Sequence, residues 1–272
     1  MVKYLLGVLL LVSISSASGL DKSIESILGK HSYSSQKGLI SVLFKKRSDF
    51  LIGSRVDILK VLQTLKDNKL LDLRFKETKT LQLSFATINK KPLLFVKTMK
   101  DVLNSMGYNH TLTTKAARDE SGFLWKVTIQ SASMIDPLLL AKELRKRGGY
   151  LTSIKRYSKD TWRYNVSIAR AHLKVTPVPF NQTVSLRKPL NPYWVNVEGA
   201  RAVILDSKNG NIWHPYIVFY DKDLKIVDNY TKERKSYNVS LKIPRDARYV
   251  KIGDLYTLEN IKRGLKINIQ KR

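Results

Sequence analysis

The residues able to do chemistry are few and scattered. The four histidines, His31, His110, His172 and His214, lie far apart, and none has a second metal-ligating side chain two to five residues on. No His-Glu-x-x-His pair, Cys-x-x-Cys pair or glycine-rich phosphate loop is present, so neither a metal site nor a cofactor is expected. Ser34-Ser35-Gln36-Lys37 fits Ser-x-x-Lys, in which a lysine near a hydroxyl acts as its base. Its usual companions, Ser-Asp-Asn and Lys-Thr-Gly, are missing, and a chain rich in Ser and Lys yields the pattern by chance. The paired carboxylates Asp119-Glu120 and Asp221/Asp223 fall where turns are expected, a common place for Asp. No catalytic residue is assigned, and a non-enzymatic protein is expected, with an envelope hydrolase of unrecognised site as the last alternative.

Binding chemistry is better represented. Lys142, Arg145 and Lys146 stand at i, i+3 and i+4, which places them on one helix face with Arg147 beside them. Lys155, Arg156, Lys159 and Arg163 follow on an adjacent strand pair. These eight are candidate anion-binding residues, since cations form charge-assisted bonds to phosphate or carboxylate. The competing reading is a solvated helix whose cations favour the C-terminal end of the dipole. Tyr193, Trp194, Trp213 and Tyr216 are candidate glycan-stacking residues, because an aromatic ring offers an apolar face and a polar tip. They serve equally as sandwich core.

Positioning these groups takes several domains. The chain has 272 residues and a formal net charge of +27, with 43% apolar residues, a globular composition. Its positive excess is spread over the whole length instead of forming a dense stripe with interleaved aromatics, so nucleic acid is not the expected partner. An anionic envelope polymer, lipid head groups or an acidic protein is expected instead, with a glycan as the alternative. Residues 1–18 read as a cleaved signal peptide: a cationic start, an apolar run from Tyr4 to Ile14, and the small residues Ser15 to Ser18. No later stretch is apolar enough for a transmembrane segment. The absence of cysteine points to a periplasmic or secreted bacterial protein without disulfides.

Residues 19–79 are read as a helical module, with its clearest helix from Ser54 to Asp67, where Val56, Leu59, Leu62 and Leu65 recur at helical spacing. Residues 80–171 alternate as strand, helix, two strands, helix and a closing strand pair. Pro92 and Pro137 each open a helix, and Gly107 and Gly148-Gly149 each close one. This pattern predicts a ferredoxin-like β-α-β-β-α-β domain. Residues 172–182 read as a proline-marked linker. Residues 183–272 lose helical periodicity and predict an antiparallel β-sandwich of about seven short strands. The overall class is α+β.

The segment Asp254-Leu255-Tyr256-Thr257-Leu258-Glu259-Asn260-Ile261-Lys262-Arg263-Gly264, taken with this layout, resembles uncharacterised exported multidomain proteins of epsilonproteobacteria. That resemblance implies no activity and no site. The middle domain's strand order is also similar to small domains that build envelope secretion rings, an analogy of fold alone.

Overall fold

The computed structural model describes residues 19–272, and the expected signal peptide lies outside them. The chain divides into two compact units, one ending at His172 and one running from Leu173 to Arg272. The class is mixed α+β. Among the described residues, no helix is long and apolar enough to cross a membrane.

The first unit opens with helix α1 (19–28), α2 (Lys30–Ser35) and α3 (Lys37–Leu43). A small hairpin follows, β1 (Leu51–Ile52) with β2 (Arg55–Val56), then α4 (Ile58–Asp67). Periodicity alone starts α4 at Ser54. The hairpin occupies Arg55 and Val56, and Asp57 sets the true start by accepting the N–H groups of Leu59 and Lys60 at 3.1 and 3.2 Å. Ile58, Val61, Leu62 and Leu65 form its buried stripe.

Seven elements follow: β3 (Arg74–Thr87), α5 (Pro92–Ser105), β4 (Leu112–Asp119), β5 (Gly122–Ser133), α6 (Pro137–Arg145), β6 (Tyr150–Arg156) and β7 (Thr161–Ser167). β3 passes straight through residues 79 and 80, where the sequence reading sets a domain boundary, and α1 is tied to β6 within the same unit. Ser26 Oγ donates to the Ile154 carbonyl at 2.7 Å, and Arg156 Nη1 donates to the Leu28 carbonyl at 3.2 Å. The five strands lie in the order β4-β5-β3-β7-β6. All pairs are antiparallel except β3 with β7. After α6 the chain makes a hairpin whose first strand takes the edge, while its second slides in beside β3.

Leu81, Leu83 and Phe85 of β3 alternate into the core, matched across the ladders by Val127 and Trp125 of β5 and by Trp162 and Tyr164 of β7. Phe95 of α5 meets Phe123 edge-on at 5.9 Å on this same face. The helices therefore cover one side of the sheet, and the other side carries Gln82, Lys126, Gln130 and Lys155 in the open. α6 starts as its sequence dictates: Asp136 Oδ1 accepts from Leu138 and Leu139 N–H at 2.9 and 3.3 Å, with Pro137 at the first helical position.

The second unit is two four-stranded antiparallel sheets. One is ordered β13 (Asn238–Lys242), β10 (Ala200–Ser207), β15 (Leu265–Lys271) and β8 (Thr183–Ser185). The other is β12 (Ile226–Thr231), β11 (Pro215–Tyr220), β14 (Tyr249–Asp254) and β9 (Tyr193–Asn196). Val203, Leu205, Ile267 and Ile269 from the first sheet and Ile217, Phe219, Val250 and Ile252 from the second share one core, as layers of a sandwich do.

Gly122 opens β5 at φ +138, and a Cβ there would lie 2.0 Å from the Thr87 carbonyl oxygen. Gly107 also has positive φ, at +92, but open space around it. Gly107→Ala is expected to cost about 1 kcal/mol from backbone conformation alone. Gly122→Ala is expected to cost more, roughly 2 kcal/mol or above, because the hairpin must also move off β3. Chemical denaturation of the two variants checks the order.

Candidate functional site

The helical half of the expected basic cluster is largely consumed by its own helix. Glu143 on α6 is buried and accepts from Lys146 Nζ at 2.5 Å and from Arg147 Nη1 at 2.9 Å. Ser105 Oγ donates to it at 3.1 Å. The bonds from Lys146 and then Arg147 hold its carboxyl down to about 2, against the desolvation that opposes them. Arg147 is buried; its Nη1 and Nη2 also donate to the carbonyls of Glu143 and Asp101 at 2.8 and 3.3 Å, and its Nε has no hydrogen-bond partner among the described residues. It cannot reach a ligand, which corrects its assignment as an anion-binding residue. Lys142 and Arg145 remain exposed on the helix, with Lys142 Nζ reaching Gln63 at 3.4 Å.

The strand half splits between two faces. Arg156 turns inward, its guanidinium 5.5 Å from the Trp162 ring centroid and bonded to the Leu28 carbonyl, so it too drops out of the candidate set. Lys159 sits exposed in the turn between β6 and β7. Lys155 and Arg163 face the open side, paired directly across β6 and β7. Arg163 pairs in turn with Ser84 of β3, Ser84 with Lys126 of β5, and Lys126 with Lys115 of β4. One row crossing all five strands thus reads Lys115, Lys126, Ser84, Arg163, Lys155. Strands lie about 4.8 Å apart, so the row spans roughly 19 Å.

The three lysines are exposed and Arg163 is half-buried. Among the described residues, no ion pair within 4.0 Å involves any of the four. Arg163 Nε donates to Asn165 Oδ1 at 3.2 Å, and Lys155 Nζ lies 4.9 Å from the Tyr157 ring centroid. Asp119, at the hairpin end, spends its carboxylate on Ser121 and Gly122 and feels Arg163 only weakly. Like charges directly opposite on neighbouring strands destabilise a sheet, so this row is paid for by the rest of the fold. Lys115 and Lys126 carry no local sequence signal. Only the strand register brings them to Arg163 and Lys155.

Strand alternation also divides the expected aromatics. Tyr193 points into the core of the second unit, and burial raises its phenol to about 12. Its hydroxyl donates to the Arg187 carbonyl. Trp213 is fully buried, with Nε1 donating to the Gly253 carbonyl at 2.8 Å. Neither can stack on a sugar, which corrects both assignments. Trp194 and Tyr216 lie on the outer face of the β12-β11-β14-β9 sheet. Trp194 meets Tyr220 at 5.0 Å, and Lys251 Nζ sits 5.9 Å from the Tyr216 ring.

The remaining motifs resolve as structure. Ser34 ends up in α2 and Lys37 in α3, both exposed, with no hydrogen bond joining them. Asp221 Oδ1 accepts from the N–H groups of Asp223 and Lys225, both at 2.8 Å, and so builds a turn. A cluster missed in the sequence surrounds the buried Asp254. Its carboxylate accepts from the His214, Tyr256 and Thr257 backbones and from Asn260 Nδ2, all between 2.7 and 3.1 Å, fixing the loop after β14. Among the described residues, no group of three or more His, Cys, Asp or Glu is placed to hold a metal ion.

No family model matches this chain, and no curated protein does. Among solved structures it is similar to a fucose-binding module of Streptococcus pneumoniae, at 16% identity and TM-score 0.24 over 33% of this chain and 69% of that one. A second is the lectin domain of lectinolysin complexed with Lewis B antigen, at 17% identity and TM-score 0.23 over 33% and 70%. A third is the complex of accessory secretory proteins 1, 2 and 3 of Streptococcus pneumoniae, at 16% identity and TM-score 0.20 over 39% and 92%.

The Glu143 pair makes an acid-stability prediction. Its carboxyl titrates near 2 when folded and near 4.5 in an unperturbed chain, so its contribution is complete above about pH 4.5 and fades as pH falls toward 2. Glu143→Gln should lose about 3 kcal/mol at neutral pH by leaving Arg147 buried without its partner. It should also flatten the fall in stability between pH 4.5 and 2, read by denaturation across that range.

Proposed function

We propose that this is a non-enzymatic binding protein that docks an anionic ligand on the open face of the five-stranded sheet. The carrying observation is the row Lys115, Lys126, Arg163 and Lys155, aligned by register and, among the described residues, with no ion pair within 4.0 Å. In this reading the first unit is a ferredoxin-like frame whose closing strand is replaced by the β6-β7 hairpin, and its helix-free face is the working surface. The composition supports the same conclusion, since a chain at +27 is drawn to anionic matter at any orientation and the row gives it a preferred one. An exported setting, against envelope polymers or head groups, is part of the proposal.

The test is retention on anionic envelope fractions and vesicles. Lys126→Ala combined with Arg163→Ala should reduce retention about tenfold or more at physiological salt. Lys142→Ala combined with Arg145→Ala, on the helix side, should change it less than twofold. Equal losses from both pairs would return the binding to diffuse charge.

A second reading belongs to the other unit. Trp194, Tyr216 and Tyr220 turn outward on one sheet face beside Lys251, an arrangement suited to stacking a sugar ring. Trp194→Ala should abolish binding in a glycan screen while leaving the unfolding midpoint within a few degrees of the parent. A screen with no glycan bound by the parent protein would dismiss this reading.

A further inference from the structure

The row says more about its ligand than its sign. It runs across the strands, so its four cations come from four separate strands, and side chains along any one strand do not continue it. Lys115 and Lys126 form one neighbouring pair, Arg163 and Lys155 another, and Ser84 separates them. At about 4.8 Å per strand, the centres of the two pairs stand roughly 14 Å apart. A single small anion can satisfy one pair and never both.

Resting on the binding function proposed above, we infer that the occupant is a linear chain of repeating phosphates lying across the strands and read through its phosphates alone. Three of the four cations are lysines, compact point charges that suit phosphate, whereas carboxylates gain most from the planar fork of arginine. Arg163, the lone arginine, has its Nε engaged by Asn165, which orients the guanidinium and leaves its terminal nitrogens for the ligand. Beside the row, Gln82 and Thr128 face the same side and supply neutral donors for phosphate oxygens. The face offers no platform for stacking bases: its aromatic neighbour, Tyr157, lies at the outer edge against Lys155.

Four probes test this on the full chain by titration at 50 and 150 mM salt: inorganic phosphate, an abasic phosphodiester oligomer, single-stranded DNA of equal length, and polyglutamate. The abasic oligomer should bind with a logarithmic salt slope of about −3, losing roughly twentyfold between the two salts, as four phosphate contacts require. Single-stranded DNA should bind within twofold of it, polyglutamate at least tenfold more weakly, and inorganic phosphate should fail to compete at equal phosphate concentration. Ser84→Glu, which puts a carboxylate in the middle of the row, should abolish binding, and Ser84→Lys should tighten it. Lys100→Ala, on the exposed side of α5, should leave it unchanged. Tighter DNA binding would replace the proposal with a nucleic-acid site, and equal polyglutamate binding would replace phosphate with charge alone; in either case the sheet face still binds anions. No binding of any probe, or binding indifferent to Ser84→Glu, overturns both the inference and the anion-binding function beneath it.

Discussion

Strand β3 governs the first unit, because every side chain of the five-stranded sheet takes its side from it. β3 pairs with β5 on one flank and β7 on the other. Successive side chains of a strand alternate, so placing Leu81, Leu83 and Phe85 against the helices leaves Gln82 and Ser84 on the far side. The ladders then carry that choice outward to Lys126, Arg163, Lys155 and Lys115. A slip of one residue would bury those cations and expose Trp125 and Trp162, so the apolar face enforces the polar one. The cationic row is held in place by packing on the opposite surface.

The same rule works in the second unit with a different result. There both sheets turn a face toward a shared core, so the alternation along β9 sends Tyr193 inward and Trp194 outward. Trp213 lies outside the strands and is claimed by the core through its indole, which spans from the apolar interior to the Gly253 carbonyl. Trp194, Tyr216 and Tyr220 stay on the outer face beside Lys251, while Tyr193 and Trp213 are committed to packing.

Local chemistry was readable from the chain, and register was not. Asp136 followed by Pro137 announces α6, and the alternation of Leu81, Leu83 and Phe85 announces β3. The Lys142 to Arg147 cluster was equally visible, yet Glu143 sits inside it, and an acidic residue at i+3 and i+4 from two cations neutralises much of what the spacing promises. Lys115 and Lys126 had no such visibility, for they join Arg163 and Lys155 only once four ladders are in register. β9, four residues between Pro192 and Gly199, is too short to show a period. The expected start of α4 failed for a similar reason: Arg55 and Val56 fit both a helix and the short hairpin that takes them.

The insertion of β7 beside β3 bears on how the first unit comes into being. Gln82 must find Thr161, and α5, the β4-β5 hairpin, α6 and β6 all lie between them. The β4-β5 and β6-β7 hairpins are local and close quickly, whereas the parallel pairing must gather a long loop before it gains anything. A chain appearing from its N-terminus therefore holds β3 with one flank unsatisfied until residue 167 is available. The aligned cations assemble only at that last step, so the charged row is absent from every shorter intermediate.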